Sequence, residues 1–331
     1  MLVKRYLKDY KDGEMMKDEV LLLSKAEIKQ KKNGEDYLRL TFCDNTRTAT
    51  ANRWTVPELP EGKSFKDYTG KLYAVSGKFE AAFGGQISEI KFRLLSEEEL
   101  EGVDKRDFIK FPPEDTDDMY DFIVGRIKDF KNEDLRKICL AFYEEYRDKI
   151  MYWPAAKYNH HAIYGGLLYH KKRMMMVGER LCEVYTNVDK ELLLAGIALH
   201  DIQKINEIDS DIFGTSPDYS CEGKLIGHIV MGVSAVEKKA DELGIDNEIK
   251  LCLMHMILSH HGEPEFGSLI RPKFPEAELL SKIDLIDARM YDMEEALADV
   301  KPGEFGPKVF TLDNVEVYKK NIRSDEEGTK A

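Results

Sequence analysis

All eight histidines of this 331-residue chain fall between His160 and His261. Taken in order with one later acid, the second half offers His170, the adjacent pair His200–Asp201, His228, the pair His260–His261 and Asp284. Each lies within, or at the end of, a stretch of helical apolar spacing. A lone histidine on a helix face is ordinarily a packed or solvated residue. A series of ligand-type residues on five successive helical segments, each flanked by apolar positions, fits a hydrolytic metal centre better. Neutral imidazole and carboxylate suit Mn, Fe, Zn, Ni or Co, and the lack of thiolates disfavours a structural zinc site. Neighbouring helix positions point about 100° apart, so His200 and Asp201 could share one ion, or Asp201 could bridge two. Two ions roughly 3.5–4 Å apart would clamp the attacking and leaving oxygens of a phosphoryl displacement. A water between them would become a nucleophile near neutral pH. His255, inside "LCLMHMIL", reads as a core or supporting residue rather than a ligand. Asp287, three residues after Asp284, competes with it for the same place.

Helices must position these groups. Residues 119–300 carry the helical pattern, with Thr116 or Asp117 as a cap for the first helix and Asn132 for the next. "ELLLAGIALHDIQKI" and "EIKLCLMHMILSHHG" space their apolar residues by three and four, and the second stops at Gly262. The Met-rich "KKRMMMVGERL" reads as helix packing. Residues 301–331 read as a Gly- and Pro-punctuated tail whose last stretch frays. Residues 96–118, acidic and containing Pro112-Pro113, read as a linker.

Residues 1–95 read as one domain, with strands over 18–95. Asn33-Gly34 marks a tight hairpin, Leu38, Leu40 and Phe42 alternate with polar residues, and Gly84-Gly85 turns the chain again. About five strands in this length suit a small closed barrel of the OB-fold kind, which often binds single strands. The fold expectation is therefore multidomain: an N-terminal all-β OB-fold barrel followed by an all-α domain. On the barrel Trp54, Tyr73, Phe79 and Phe83 could stack bases, although Trp54 leans toward the core, and Arg39, Arg53 and Lys78 could track a backbone.

The net charge of −13 argues against a protein that coats nucleic acid by bulk electrostatics. Charge is nonetheless segregated: residues 1–95 hold 18 Lys and Arg against 14 Asp and Glu, and the remainder 31 against 48. Five scattered cysteines without a CxxC pair suggest no disulfide framework. No apolar run spans a membrane and no signal peptide is apparent, so the cytoplasm is the expected compartment.

The order H…HD…H…HH…D is similar to the HD-domain phosphohydrolases, an all-helical superfamily. "HHAIYGGLLYH" (160–170), "LLLAGIALHDIQK" (192–204), "GKLIGHIVMG" (223–232), "MILSHHGEPEFGSLIRPKFPEA" (256–277) and "KIDLIDARM" (282–290) more closely resemble the YhaM-type 3′→5′ exoribonuclease family. That family carries an OB-fold ahead of the HD domain, and the resemblance covers roughly residues 15–295. It implies that His170, His200, Asp201 and Asp284 hold one divalent metal. Asp201, His228, His260 and His261 would hold a second, with Asp201 bridging. Manganese comes first among the candidate metals. Lys204 would join Asp201 in catalysis and touch a phosphate oxygen, Arg271 and Lys273 would contact substrate phosphate, and His160 and His161 match a pair near the site. The implied partner is single-stranded RNA, with single-stranded DNA as an alternative, and no membrane; assembly into a homo-oligomer stays open. The usual HDIGK glycine is replaced by Gln203, which could narrow the site or add a donor. Tyr169 stands where the family has an acid. The rival readings are a phosphohydrolase of free or cyclic nucleotides and a catalytically retired nucleic-acid-binding module.

Overall fold

The computed structural model describes residues 5–81, 84–157, 161–216, 218–263 and 268–322. Five strands come first: β1 (Met15–Gln30), β2 (Asp36–Cys43), β3 (Thr48–Arg53), β4 (Lys71–Glu80) and β5 (Gln86–Leu94). They close into a barrel in the order β1-β2-β3-β5-β4, as the strand count and turns imply. One long strand makes closure possible. The N-terminal half of β1 pairs with β4 and its C-terminal half with β2, and register shifts at Met16–Glu19 and Leu23–Lys25 bend it between the two. The thinnest seam joins β3 and β5, through the single registered pair Thr50 and Gln86. Gly34, at φ 89°, makes the turn from β1 to β2 at the Asn-Gly site.

Leu38, Leu40 and Phe42 point inward with Leu21, Leu23, Val75, Phe79 and Ile87 to form the barrel core. Tyr37, Arg39 and Thr41 therefore face outward. The segment after β5 carries the short helix α1 (Glu97–Leu100) and then enters the helical part. There follow α2 (Thr116–Lys128), α3 (Glu133–Glu145), α4 (Arg147–Ile150), α5 (Gly166–Val184), α6 (Lys190–Leu199), α7 (Lys204–Glu207), α8 (Cys221–Leu225), α9 (His228–Leu243), α10 (Asn247–Ser259) and α11 (Pro275–Leu297). Asp115 caps α2, one residue before the expected position, and Asn132 caps α3 as expected.

A two-residue strand pair, β6 (Ile208–Asp209) with β7 (Asp218–Tyr219), interrupts the helices. The stretch expected as a tail contains a hairpin, β8 (Phe305–Val309) with β9 (Val315–Tyr318), which packs on α11. Its tip is tightened by Asp313 and Asn314, both left-handed. No described helix is long and apolar enough to cross a membrane.

Three apolar clusters organise the chain. The largest unites α2, α3, α5, α6, α9, α10 and α11 around the completely buried run Leu193–Leu199 of α6. The second is the barrel interior. The third sits at the junction, where Leu22, Cys43, Leu72 and Ala74 on the outside of the barrel meet Leu95, Phe108, Ile109 and Phe213.

Candidate metal centre

Buried along most of its length, α6 ends by delivering His200 and Asp201 into the middle of the helical core, and α10 delivers His260 and His261 beside them. His200 donates from Nδ1 to the Ile197 carbonyl at 2.9 Å, and His260 from Nδ1 to the Ile257 carbonyl at 2.7 Å. Each ring thus satisfies a helix-terminal carbonyl three residues back. That bond fixes the tautomer and leaves the Nε2 lone pair pointing into the cluster. His228, the first residue of α9, follows the same logic by donating from Nδ1 to Glu207 Oε1 at 2.9 Å. Glu207 reaches it because α8 lies directly over α7: a Cβ on Gly223 would stand 2.2 Å from the Glu207 carbonyl oxygen, so only glycine fits.

The rings of His200 and His260 are 5.0 Å apart, and those of His260 and His261 4.2 Å. The Asp201 carboxylate lies between two groups of donors. Its Oδ2 is 3.3 Å from His200 Nε2, while its Oδ1 is 3.3 Å from His228 Nε2 and 3.6 Å from His260 Nε2. His170, His200 and Asp201 form one compact donor set, and His228, His260 and His261 another. Asp284 on α11 approaches His170 Nε2 at 3.2 Å.

Five buried atoms here make no hydrogen bond: Nε2 of His200, His228 and His260, Nδ1 of His261, and Oδ1 of Asp201. Each would cost on the order of 1–3 kcal/mol if left so. Lone pairs facing lone pairs in a buried site are what a cation relieves. The donor chemistry, imidazole and carboxylate without thiolate, fits a divalent ion such as manganese.

Outer groups hold this arrangement. Asp287 accepts from His170 Nδ1 and from His161 Nε2, both at 2.7 Å, and from Arg173 Nε at 2.6 Å. Its carboxylate is thereby occupied and supports His170 from behind, while Asp284 faces the cluster. Burial pulls the His170 imidazole down, but its bonds to Asp284 and Asp287 outweigh that and push it up to about 9. Burial, with His261 beside it, holds His260 well below the usual imidazole range. Burial would raise the Asp201 carboxyl, but Lys204 and His200 prevail and hold it far down. Lys171 is fully buried beneath the site and donates to the Ala198 carbonyl at 2.7 Å; burial pushes its ammonium down to about 7.

A cleft of about 360 Å³ opens onto this cluster. Lys204, His260, His261 and Asp284 form its floor, and Arg289, Thr311 and Asp313 stand on the far wall. Lys204 lines the cleft, and its Nζ is 2.6 Å from Asp201 Oδ2. Arg271 is exposed and pairs with Glu263 at 2.7 Å, and neither it nor Lys273 lines the cleft. His161 does not reach the opening either. It is fully buried behind Asp287, in the left-handed region at φ 56°. His160 and Phe83 lie outside the described residues. Gln203 neither narrows the site nor adds a donor to it, because its amide turns away to Tyr146 Oη and Asn206. His255 accepts from the Lys273 backbone N–H at 3.0 Å, a supporting bond.

On the barrel, Phe79 and Tyr73 are core residues with no face left for a base, which corrects their candidacy. Trp54 goes the other way: it is 60% exposed, beside Tyr37 at 5.4 Å. Arg39 shares the outward face with it and Arg53 is exposed just before Trp54, whereas Lys78 pairs with Met15, at the other end of β1 from Arg39's partner Glu27. Glu207, Arg173 and the Thr311–Asp313 edge went unanticipated. Their partners are remote in sequence, and no local pattern marks them.

The model of the HD domain family matches residues 167–289. Curated relatives are similar over nearly the whole chain. The 3′-5′ exoribonuclease YhaM of Listeria innocua is 35% identical over 317 residues, which is 96% of this chain and 98% of the relative. That of Oceanobacillus iheyensis is 34% identical over 313 residues, 93% and 95% of the two chains. That of Bacillus pumilus is 35% identical over 291 residues, 87% and 89%. No solved structure matches the chain.

Proposed function

Because the chain belongs to the YhaM family of 3′-5′ exoribonucleases, we propose that it hydrolyses single-stranded RNA from the 3′ end at the cluster around Asp201. The observation that carries this reading is the gathering of four buried, unbonded imidazole nitrogens around the Asp201 carboxylate, whose own Oδ1 is also unbonded, beside an open cleft. His170, His200, Asp201 and Asp284 would hold one divalent cation, and Asp201, His228, His260 and His261 would hold a second, with manganese the first candidate. When bound, the cations supply Lewis-acid stabilisation to an in-line displacement at phosphorus.

The chain's own groups do the rest. Carbonyl-anchored imidazoles hold the donor geometry before substrate arrives. Lys204 keeps Asp201 ionised and brings positive charge to the side where a phosphate enters. Hydrolysis breaks the bond between phosphorus and the 3′-oxygen of the penultimate ribose. Water's oxygen joins phosphorus, releasing a nucleoside 5′-monophosphate and leaving a new 3′-hydroxyl. Arg271 and Lys273, outside the cleft, meet phosphates further along the strand. We assign residues 1–95 to the nucleic-acid-binding barrel, with Arg39, Arg53, Trp54 and Lys78 along the strand. Residues 96–118 then form the linker, 119–300 the catalytic domain and 301–331 the C-terminal segment, in a cytoplasmic enzyme.

The test compares one oligoribonucleotide labelled at either end, with Mn²⁺ or with chelator. The 5′-labelled strand is expected to shorten in single-nucleotide steps, and the 3′-labelled strand to release labelled mononucleotide at once. Chelator should stop both, and His200→Ala and Asp201→Ala should abolish turnover. Intact turnover in those two variants would remove the site assignment.

A further inference from the structure

A second cleft, of about 600 Å³, lies between the barrel and the helical part. We infer that it binds the sugar–phosphate backbone of a single RNA strand at a distance from the metal cluster. The inference rests on the RNA-hydrolysing reading above and adds to it a second contact region for the strand.

Charge is the first reason. Lys25, Arg47, Lys110 and Lys157 line the cleft, and Asp44 is the one acid among its described lining residues. Asp44 exerts little demand on a ligand, since its oxygens already accept from the Leu7 N–H at 2.5 Å, the Thr46 N–H at 2.8 Å, the Thr46 hydroxyl at 2.5 Å and the Arg47 N–H at 3.1 Å. Three of the cations are held in place by acids outside the cleft lining: Lys25 by Glu27 at 3.0 Å, Lys157 by Asp218 at 3.1 Å, and Lys110 by Glu295. Arg47 has no acid partner among the described residues, and a strand's phosphates could take the place of the carboxylates that pair the three lysines.

Unmet hydrogen bonding is the second reason. Asn45 Oδ1 and Ser216 Oγ, from opposite walls, are buried atoms without a partner. Among the described residues such atoms are few outside the metal cluster. A sugar–phosphate chain offers hydroxyl donors to the first and phosphate acceptors to the second.

Continuity is the third. Lys25 is paired across the strands with Thr41, Glu27 with Arg39 and Lys29 with Tyr37, all on the outward face. Arg39 is paired in turn with Asn52, whose Oδ1 is also buried and unpartnered, and Tyr37 meets the exposed Trp54. From Lys25 to Lys29 this face runs about 14 Å. It leads from an aromatic platform that suits a base to the cationic cleft, a path for several nucleotides.

The test uses the full chain and the double variant Arg47→Gln/Lys110→Gln. With chelator present, binding of a 5′-fluorescein 24-mer of uridylate is followed by anisotropy across salt concentrations. The expected result is an affinity about tenfold weaker at 0.1 M salt, and a log–log salt slope shallower by about 1.4, because two phosphates are no longer neutralised. Arg47→Lys/Lys110→Arg should restore both. With Mn²⁺, turnover of a uridylate dinucleotide, which spans only the metal cleft, should stay within about twofold of the parent. Parental affinity and slope in the Gln variant would overturn the inference, as would equal losses on the dinucleotide and the 24-mer. If the parent chain binds the 24-mer with this charge dependence yet degrades no RNA, the cleft stands and the reading of the activity falls.

Discussion

Tautomer choice is the device that makes the cluster a donor set rather than a patch of polar side chains. His200 and His260 spend Nδ1 on a backbone carbonyl of their own helix, so the sequence interval that ends each helix also aims its Nε2. His170 is different, because its Nδ1 is held by Asp287 and its Nε2 by Asp284. With His170 pushed up to about 9, its ring carries a proton at neutral pH in the cation-free chain. A cation must displace that proton, so affinity should rise as pH increases toward about 9 and level off beyond it. His260 and His261, held low, are already neutral at pH 7 and add no such slope. Titration calorimetry with Mn²⁺ in two buffers of different ionisation enthalpy should report about one proton released at pH 7.5; uptake with no proton release from pH 7 to 9 would refute the point. Asp287→Ala removes the acceptor behind His170 and should weaken cation binding about 10–100-fold, read by the same titration. The proposed ligands are legible in part, because an HD or HH pair at the end of an apolar helix, as at His200–Asp201 and His260–His261, is a local pattern. Their supports are not: Asp287 meets His161 and His170 from 126 and 117 residues away, so no short window contains both partners.

Elements with local signals are legible in the sequence, and those with distributed ones are not. The β1–β2 hairpin follows from Asn33-Gly34, and the start of α3 from the capping side chain of Asn132. The β8–β9 hairpin hides because its tip is Asp313-Asn314, with both residues left-handed and no glycine to mark the turn. Nor does a sequence show that β3 and β5 meet through one registered pair, since that seam depends on the bend of β1 on the far side of the barrel. The hairpin matters to the site because it puts Thr311 and Asp313 on the cleft wall, where Arg289 pairs with Asp313 at 3.0 Å. Leu312, completely buried between them, anchors that wall. Leu312→Ala should cost about 2–5 kcal/mol locally and loosen the wall without touching the metal ligands. The expected signature is a raised KM for a 24-mer with parental metal content by elemental analysis. A parental KM would mean that the hairpin plays no part in holding substrate.

At the scale of the whole chain, two cores of different kinds are joined by a third that belongs to neither. The barrel and the helical assembly meet through Leu22, Leu72 and Ala74 on one side, Phe108 and Ile109 between, and Phe213 on the other. The same junction frames the cationic cleft, whose lining includes Phe108, Ile109 and Gly214. The proposed cation ligands all lie on the helical side, so a stabilising effect of cations would reach the barrel through this junction and the polar contacts beside it, such as Lys66 with Asp209 at 2.8 Å. Ligand binding stabilises the state it binds by mass action, and in the parent chain that gain should appear in one shared unfolding transition. Phe213→Ala removes a largely buried ring from the junction at a cost of about 3 kcal/mol. Phe213 belongs to neither the barrel interior nor the α6-centred core, so each should remain folded. Calorimetry of the variant should therefore show two peaks, of which Mn²⁺ raises only the helical one, while dinucleotide turnover persists and 24-mer binding weakens as the cleft loses its frame. A single transition at the parental temperature, shifted as a whole by Mn²⁺, would show that the two cores communicate by some other route.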